Sequence, residues 1–424
     1  MLVKVSPSSL NGTINAPASK SMMQRACALA LLNNGVTILR NPGYSNDDKT
    51  AIEIIKNIGA KVLENENSIS IISNGKINPV QIINCGESGL SLRMFAPIIA
   101  LSDSEITLIG EGTLLNRPLH LLNNIFSSLN VFAASNNGFL PLQIKGPMMP
   151  ADIAVDGSKS SQYLTGLLFA FASIAEKSIT ISVDNLVSKP YIDLSLEMLR
   201  LFGYSVSHDN YKQFFINPVK VKHNDYTIDI EGDWSSAAFL LVAGAIAGDV
   251  TVTGLKSNSS QADKAIVEVL ESCGANINFE NNAVSVNNQN SLSSFIFDAT
   301  DCPDLFPALV VLAINCKGIS IINGVHRLAD KESNRAHAIV SEFSKIGADI
   351  VIENDCMKIK GNVKLNTATI WSHNDHRIAM AASVAALNIE GGILINNAEA
   401  VNKSFPEFYN SLKILGASLS LTNE

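Results

Sequence analysis

Six times along its 424 residues the chain repeats one phrase: an amphipathic run, a small turn residue, then a β-prone run. Five copies read AIEIIKNIGAKVL, LSLEMLRLFGYSV, AIVEVLESCGANI, AIVSEFSKIGADI and FYNSLKILGASL, and HLLNNIFSSLNVFAAS completes the series. The turn residues are Gly59, Asn130, Gly203, Gly274, Gly347 and Gly416, about 70 residues apart throughout. Self-similarity at a fixed period of that size signals homologous supersecondary units. Gly and Asn are the residues that take a left-handed conformation at a helix C-terminus and hand the chain to a strand. ANINFENNAVSV and ADIVIENDCMKIKG further predict hairpins closed by Asn-Asn and Asn-Asp turns.

A second register runs through the same units. Small or polar residues at Ser21, Gly89, Ser161, Ser236, Asp304 and Asp375 stand before Ala/Leu-rich helices such as YLTGLLFAFASIA. These helices are apolar on nearly every face, the mark of a buried helix. Each unit is therefore α/β, with one buried helix, one amphipathic outer helix and strands between them. Every buried helix begins with unsatisfied N–H groups and a partial positive charge, so several N-termini can serve one anion site. Six units divide three and three, with chain crossings around residues 16–20 and 229–233. Residues 1–18 with 232–424 are expected to form domain one, and residues 19–231 domain two.

Composition narrows the class. With 46% hydrophobic and 17% charged residues the chain is too apolar for a disordered protein. Its longest apolar or Gly run, Ala237–Gly248, falls short of the roughly 20 residues a membrane span requires. No signal peptide is expected from MLVKVSPSSLNGTINAP, which reads as strand and turn. Six cysteines without CxxC pairs suit reduced thiols, so a cytoplasmic location is expected. A net charge of −8 argues against a nucleic-acid partner. The seven His show no ligand spacing, so no metal is expected. Aromatic content of 6% is compatible with a monomer.

Arginine is scarce, eight of the 31 basic residues, and six of the eight fall in unusual local sequences. These are Arg25 in SKSMMQR, Arg93 in GESGLSLR, Arg117 in LNRPLH, Arg327 and Arg335 in HRLADKESNR, and Arg377 in NDHR. A guanidinium binds carboxylate or phosphate bidentately, so an acidic chain that keeps its arginines in such places is read as taking a small anionic substrate.

The motifs occur in a fixed order from residue 19 to 406. They are Ser19-Lys20-Ser21-x3-Arg25, Gly86-x2-Gly89-x3-Arg93, Asn116-Arg117-Pro118, Ser160-Ser161-Gln162-Tyr163-Leu164-Thr165 and Ser188-Lys189-Pro190-Tyr191-Ile192-Asp193. Glu231-Gly232-Asp233, Pro303-Asp304, Lys331-Glu332-Ser333-x-Arg335, Asn374-Asp375-His376-Arg377 and Lys403-Ser404-Phe405-Pro406 follow. This ordered set resembles the 5-enolpyruvylshikimate-3-phosphate synthase family, the 3-phosphoshikimate 1-carboxyvinyltransferases. The resemblance implies an inside-out α/β barrel in each of two domains, closing on substrates between them. It implies transfer of the enolpyruvyl group of phosphoenolpyruvate to the 5-hydroxyl of shikimate 3-phosphate with release of phosphate, by addition and elimination through a tetrahedral intermediate. No cofactor is implied, and the only partners are the two small-molecule substrates.

By the same resemblance, Lys20, Gly89, Arg117, Gln162, Arg335, Arg377 and Lys403 belong to the phosphoenolpyruvate site. Lys20, Ser21, Arg25, Ser160, Ser161, Gln162, Ser188, Asp304 and Lys331 belong to the shikimate 3-phosphate site. Asp304, Glu332 and Lys20 are the catalytic set, with Asp304 taking the hydroxyl proton and Glu332, assisted by Lys20, protonating the methylene carbon. A carboxyl among cations has its pKa lowered, so Glu332 must gain its proton through closure, burial or a neighbouring anion. Cations crowded without a ligand repel.

Some positions depart from the family pattern. Many relatives carry Asn-Ala-Gly-Thr where this chain has Glu87-Ser88-Gly89-Leu90. Glu87 must therefore be protonated, paired or turned away from an anion site. Met22 and Met23 stand where smaller residues are commoner, and Arg327 where some relatives have Asn. The nearest alternative is the enolpyruvyl transferase acting on UDP-N-acetylglucosamine. That enzyme typically carries a loop cysteine near the Arg117 region, and Glu111–Leu122 has none. A non-catalytic anion-binding protein that kept the repeats is the alternative of a different class.

Overall fold

All six turn residues of the repeat take positive φ: 121° at Gly59, 56° at Asn130, 79° at Gly203, 84° at Gly274, 86° at Gly347 and 103° at Gly416. The computed structural model describes residues 1–219 and 223–422. Its α-helices come in pairs, one pair per repeat: α1 (Lys20–Leu32) and α2 (Asn46–Ile58), α3 (Gly89–Ile99) and α4 (His120–Ser128), α5 (Ser161–Ile174) and α6 (Lys189–Leu201), α7 (Trp234–Ala247) and α8 (Ile266–Ser272), α9 (Phe306–Asn315) and α10 (Arg335–Lys345), α11 (His376–Ala386) and α12 (Phe408–Ile414).

The first helix of each pair is the buried one. All fourteen residues of α7 are buried, and each large apolar side chain so removed from water contributes roughly 1.5–3 kcal/mol. The second helix shows one apolar face. In α2, Ala51, Ile52, Ile54, Ile55 and Ile58 are buried while Glu53 is exposed.

Strands form six four-stranded sheets among the described residues, all with one arrangement of a parallel pair followed by two antiparallel neighbours. In the third repeat, Ile153–Asp156 runs parallel to Ile179–Asp184, with Ile153 opposite Ile181 and α5 as the crossover. Gln213–Asn217 then pairs antiparallel with Ile179–Asp184, and Ser205–Asp209 closes the sheet as the other arm of a hairpin. The predicted hairpins pair Asn276–Glu280 with Ala283–Asn287 and Asp349–Glu353 with Cys356–Lys360. Asn281, Asn282 and Asn354 turn them at φ 51°, 60° and 54°.

Three sheets borrow a strand from elsewhere in the chain. Leu10–Asn15 lies parallel to Gly248–Thr253 in the fourth repeat, and Tyr226–Asp229 lies parallel to Asn34–Arg40 in the first. Leu2–Val5 sits between Ile393–Asn396 and Leu419–Thr422, completing the last repeat. The chain divides into two compact units: Met1–Pro17 with Glu231–Glu424, called here the C-terminal unit, and Ala18–Ile230, the N-terminal unit. Within the N-terminal unit α1, α3 and α5 pack on one another, and within the C-terminal unit α7, α9 and α11 do the same. Helices inside and sheets around them give the inside-out α/β architecture.

Helix starts differ from the sequence register: Gly89 and Ser161 open α3 and α5, and Ser21 lies in the first turn of α1, rather than before them. Asp233 caps α7 by accepting from the Ser236 N–H at 2.7 Å, so Ser236 lies inside the first turn rather than before it. Asp304 lies on a 3-10 turn, Pro303–Leu305, that leads into α9. Pro303 and Pro307 bracket this turn and lack N–H groups, so its hydrogen bonding is that of a short entry segment.

Candidate active site

The C-terminal unit gathers most of its charged motif residues around one carboxylate. Asp304 Oδ1 accepts from Arg335 Nη1 at 2.8 Å and Lys331 Nζ at 3.3 Å, while Oδ2 accepts from Arg377 Nη2 at 3.0 Å. Arg335, which opens α10, is fully buried. Its Nε donates to Asp375 Oδ2 at 2.9 Å, and its Nη2 donates to Asp375 Oδ1 at 3.2 Å and to Glu332 Oε2. Asp375 caps α11 through the Arg377 N–H at 3.0 Å and accepts from Ser333 Oγ at 3.1 Å. Arg377 also donates to Ser235 Oγ and to the Asp304 carbonyl. Lys403 Nζ donates to the Asn374 carbonyl at 2.6 Å.

Burial alone pushes the Asp304 carboxyl up, but Arg377, then Lys331 and Arg335, outweigh it and hold it well below the usual carboxylate range. Burial pulls Arg335 down, and Asp375, Glu332 and Asp304 more than reverse that, leaving it above its ordinary value. Lys331 is lowered, chiefly by burial against the pull of Asp304. Asp304 is thus a fixed anion whose basicity is restrained by three cations. Glu332 is ion-paired to Arg335 three residues on. Lys331, Arg335 and Arg377 each reach a carboxylate, and Lys403 rests on a backbone carbonyl.

The N-terminal unit is built from helix starts. Ser19, Ser88 and Ser160 cap α1, α3 and α5, accepting from the N–H groups of Met22, Ser91 and Gln162. Ser21 and Ser161 lie within the first turns of α1 and α5, and Ser161 is buried. Ser188 precedes α6 in a left-handed conformation, φ 55° and ψ 47°, and makes no capping bond. Lys20 Nζ pairs with Asp47 Oδ2 at 2.9 Å. Arg25 donates from Nε to Ser195 Oγ at 2.9 Å, from Nη1 to the Ser21 carbonyl at 2.8 Å and from Nη2 to the Tyr191 carbonyl at 3.2 Å. Burial lowers its pKa to about 10.

Gly89 joins two arginines to this unit's site. A Cβ at Gly89 would lie 2.5 Å from Arg117 Nη1 and 3.0 Å from Arg93 Nη1. Arg93 in turn donates to Tyr163 Oη at 3.2 Å and Gln162 Oε1 at 3.0 Å, with its guanidinium 5.6 Å from the Tyr163 ring centroid. The missing side chain at position 89 therefore leaves room for two guanidinium groups at the first turn of α3.

Glu87 is turned toward the segment that follows Glu111. Its Oε2 accepts from the Thr113 N–H at 3.0 Å and from Thr113 Oγ1 at 3.4 Å, at the start of the 3-10 helix Gly112–Asn116. A negative charge is favourable at such an N-terminus. Met22 and Met23 are buried in the core, and Arg327 Nε donates to the Thr300 carbonyl at 3.3 Å. Two residues outside the sequence-derived site join it: Asp47 on Lys20 and Asp375 on Arg335. Asp375 was visible as a helix start, whereas Asp47 had only the acidic pair Asp47-Asp48 after Ser45 to mark it.

A family model described as EPSP synthase (3-phosphoshikimate 1-carboxyvinyltransferase) matches residues 5–412. A 3-phosphoshikimate 1-carboxyvinyltransferase from Clostridium novyi (strain NT) is 36% identical over 425 residues, covering 98% of this chain and 97% of its own. The one from Clostridioides difficile (strain 630) is 36% identical over 434 residues, covering 99% of each chain. Among solved structures, EPSP synthase from Acinetobacter baumannii shares the fold at TM-score 0.84 and 23% identity, over 99% of this chain and 100% of that one. The enolpyruvyl transferase NikO from Streptomyces tendae shares it at TM-score 0.81 and 14% identity, over 99% and 98%.

Proposed function

The chain belongs to the EPSP synthase family, the 3-phosphoshikimate 1-carboxyvinyltransferases, and from that premise we propose how its own residues divide the work of enolpyruvyl transfer. It is a transferase of aromatic amino-acid biosynthesis, joining the enolpyruvyl group of phosphoenolpyruvate to shikimate 3-phosphate and releasing phosphate. Among the described residues, no helix is long and apolar enough to cross a membrane.

Two tasks follow from the reaction: anions must be held, and protons must move between oxygen and carbon. In addition, the 5-hydroxyl oxygen bonds to C2 of phosphoenolpyruvate as the hydroxyl loses its proton and C3 gains one. In elimination the C2–O bond to phosphate breaks and C3 returns a proton, restoring the methylene group. Asp304 accepts the hydroxyl proton. Its low basicity is relieved when anionic substrate groups draw on Arg377, Lys331 and Arg335, because each cation so engaged lowers the carboxyl pKa less. The same draw on Arg335 loosens Glu332, which takes up a proton from water, delivers it to C3 with Lys20 assisting, and accepts the proton that C3 returns in the elimination.

In the N-terminal unit, Lys20, Ser21, Arg25, Ser160, Ser161, Gln162 and Ser188 take shikimate 3-phosphate, together with Asp304 and Lys331 of the C-terminal unit. Capping hydroxyls and helix-start N–H groups suit its phosphate. Lys20, Gly89, Arg117 and Gln162 act on phosphoenolpyruvate with Arg335, Arg377 and Lys403. The division into a shikimate-phosphate unit and an acid–base unit is part of this proposal. The observation that carries it is Asp304 itself, a carboxylate held by three cations that anionic substrates can engage.

The test is phosphate release with each substrate omitted in turn and UDP-N-acetylglucosamine offered as the other acceptor. Release that needs both phosphoenolpyruvate and shikimate 3-phosphate is expected. Release with the nucleotide sugar instead overturns the acceptor assignment, and binding without release overturns the catalytic one.

A further inference from the structure

Behind Lys403 and Asp375 lies a second polar cluster that takes no part in the roles above. Glu342, in the third turn of α10, is a carboxylate only 3% exposed. Its Oε1 is 2.9 Å from His373 Nε2, and its Oε2 accepts from the Trp371 backbone N–H at 2.9 Å and from Lys345 Nζ at 2.6 Å. His373 and Asn374 are consecutive non-glycine residues at φ 55° each. L residues visit that region singly, and hold it where the surroundings over-determine it.

Here the surroundings do so from several sides. The Trp371 and His373 rings lie 4.1 Å apart between centroids. Ser372 donates its N–H to the Asn396 carbonyl at 3.1 Å and its hydroxyl to the Asn397 carbonyl at 2.8 Å. The Asn374 N–H donates to Ser372 Oγ at 3.2 Å. From this pinned turn come the Asn374 carbonyl, on Lys403 Nζ, and Asp375, on Arg335.

We propose that Glu342 and His373 form a latch that positions the phosphoenolpyruvate-binding end of the C-terminal unit. By holding the left-handed pair His373-Asn374 they place the carbonyl that orients Lys403 and the carboxylate that orients Arg335. Asn tolerates this conformation by itself, whereas His does so less readily. The side chain of His373 is thus the one that needs an outside hold, and Glu342 supplies it. Neither residue touches substrate; both act through Asn374 and Asp375. The inference rests on the assignment of Lys403 to phosphoenolpyruvate made above.

The experiment compares His373→Ala, His373→Asn, Glu342→Gln and Lys403→Ala by steady-state kinetics in both substrates and by tryptophan emission. Of the two tryptophans, Trp234 is fully buried and Trp371 is 49% exposed, and Trp371→Phe identifies which one reports. His373→Ala is expected to raise KM for phosphoenolpyruvate roughly five- to twentyfold while leaving KM for shikimate 3-phosphate unchanged. Glu342→Gln should do the same more weakly, and His373→Asn should restore the wild-type value. Saturating both substrates should change Trp371 emission in the wild type and not in His373→Ala.

An unchanged KM for phosphoenolpyruvate in His373→Ala, while Lys403→Ala raises it, overturns the latch alone. Equal rises in both KM values with a lower Tm show a general packing role and also overturn it. If Lys403→Ala itself leaves KM for phosphoenolpyruvate unchanged, the assignment of Lys403 is wrong and the latch falls with it.

Discussion

Arg335 and Arg25 are both buried guanidinium groups, and their pKa values move in opposite directions. Arg335 faces three carboxylates, Asp304, Glu332 and Asp375. Arg25 is held by a serine hydroxyl and two carbonyls, and Arg93 by a phenol and an amide oxygen. Neutral acceptors fix a cation without cancelling its charge, so the desolvation cost stands and an arriving anion offsets it. Carboxylates cancel the charge and lock the geometry before any ligand arrives. The N-terminal unit is accordingly equipped to attract anions. On the proposed roles, the C-terminal unit holds Asp304 in place as a base and releases it when anions compete for its cations.

The sharpest way to break this contrast is to remove the base. Asp304→Asn keeps the shape and some hydrogen bonding but cannot take a proton, so kcat should fall by about 10²- to 10⁴-fold, the usual worth of a positioned acid or base. Phosphate release under saturating substrates measures it, and a loss confined to KM would make Asp304 a ligand rather than a base. On the other side, Gly89→Ala places a methyl group where two guanidinium ends now stand. Those ends can swing aside, so the fold should survive. The displaced charge-assisted bonds should raise KM for phosphoenolpyruvate by about tenfold or more. An unchanged KM would show that Arg93 and Arg117 do not meet the substrate at this helix start.

Ser160→Ala probes the neutral side more gently. Loss of the bond to the Gln162 N–H should cost about 1 kcal/mol of stability, or roughly 2–4 °C in Tm. If Ser160 also meets the shikimate phosphate, KM for shikimate 3-phosphate rises several-fold in addition, by about one neutral hydrogen bond. A fall in Tm with no change in KM would leave Ser160 a helix cap alone.

The fold is legible in the sequence because its grammar is local. A residue that must turn left-handed after an outer helix is Gly or Asn at Gly59, Asn130 and their four counterparts, and a helix buried on all sides is apolar on all sides. Much of the site is legible only as a set of residue types. That Lys20 pairs with Asp47, 27 residues away, and Arg335 with Asp375, 40 residues away, depends on how helix starts distant in the chain meet. No periodicity encodes that. Glu87 shows the same limit: its charge was visible, but its resting place on the Thr113 N–H depends on the turn at Gly112, where φ is 51°.

The smallest effect sets two carboxylates against each other. Asp304, with three cations, is held well below its ordinary value of 3.8, whereas Asp48 in the N-terminal unit is pushed up to about 7. Burial is the main cause at Asp48. The bonds from Ser45 and the charge of Lys20 oppose it, and Asp47 adds to it. For Asp304 the folded protein binds the proton less readily than the unfolded chain. Its stabilisation is therefore full above pH 3.8 and is lost as pH falls through the folded value. For Asp48 the folded protein binds the proton more readily. Stability therefore declines as pH rises from about 3.8 to about 7 and levels off above that. Asp48→Asn can still accept from the Ser45 N–H and hydroxyl, yet carries no charge to bury. It should match the wild type near pH 4 and exceed it by roughly 2–4 °C in Tm near pH 8, the shift expected for about 1 kcal/mol. Asp304→Asn should do the reverse, losing stability near pH 7 and approaching the wild type only in acid. Thermal melts across that range check both. Parallel pH profiles for the two variants would mean that cation pairing does not separate these carboxylates, and the contrast between the units would lose its electrostatic basis.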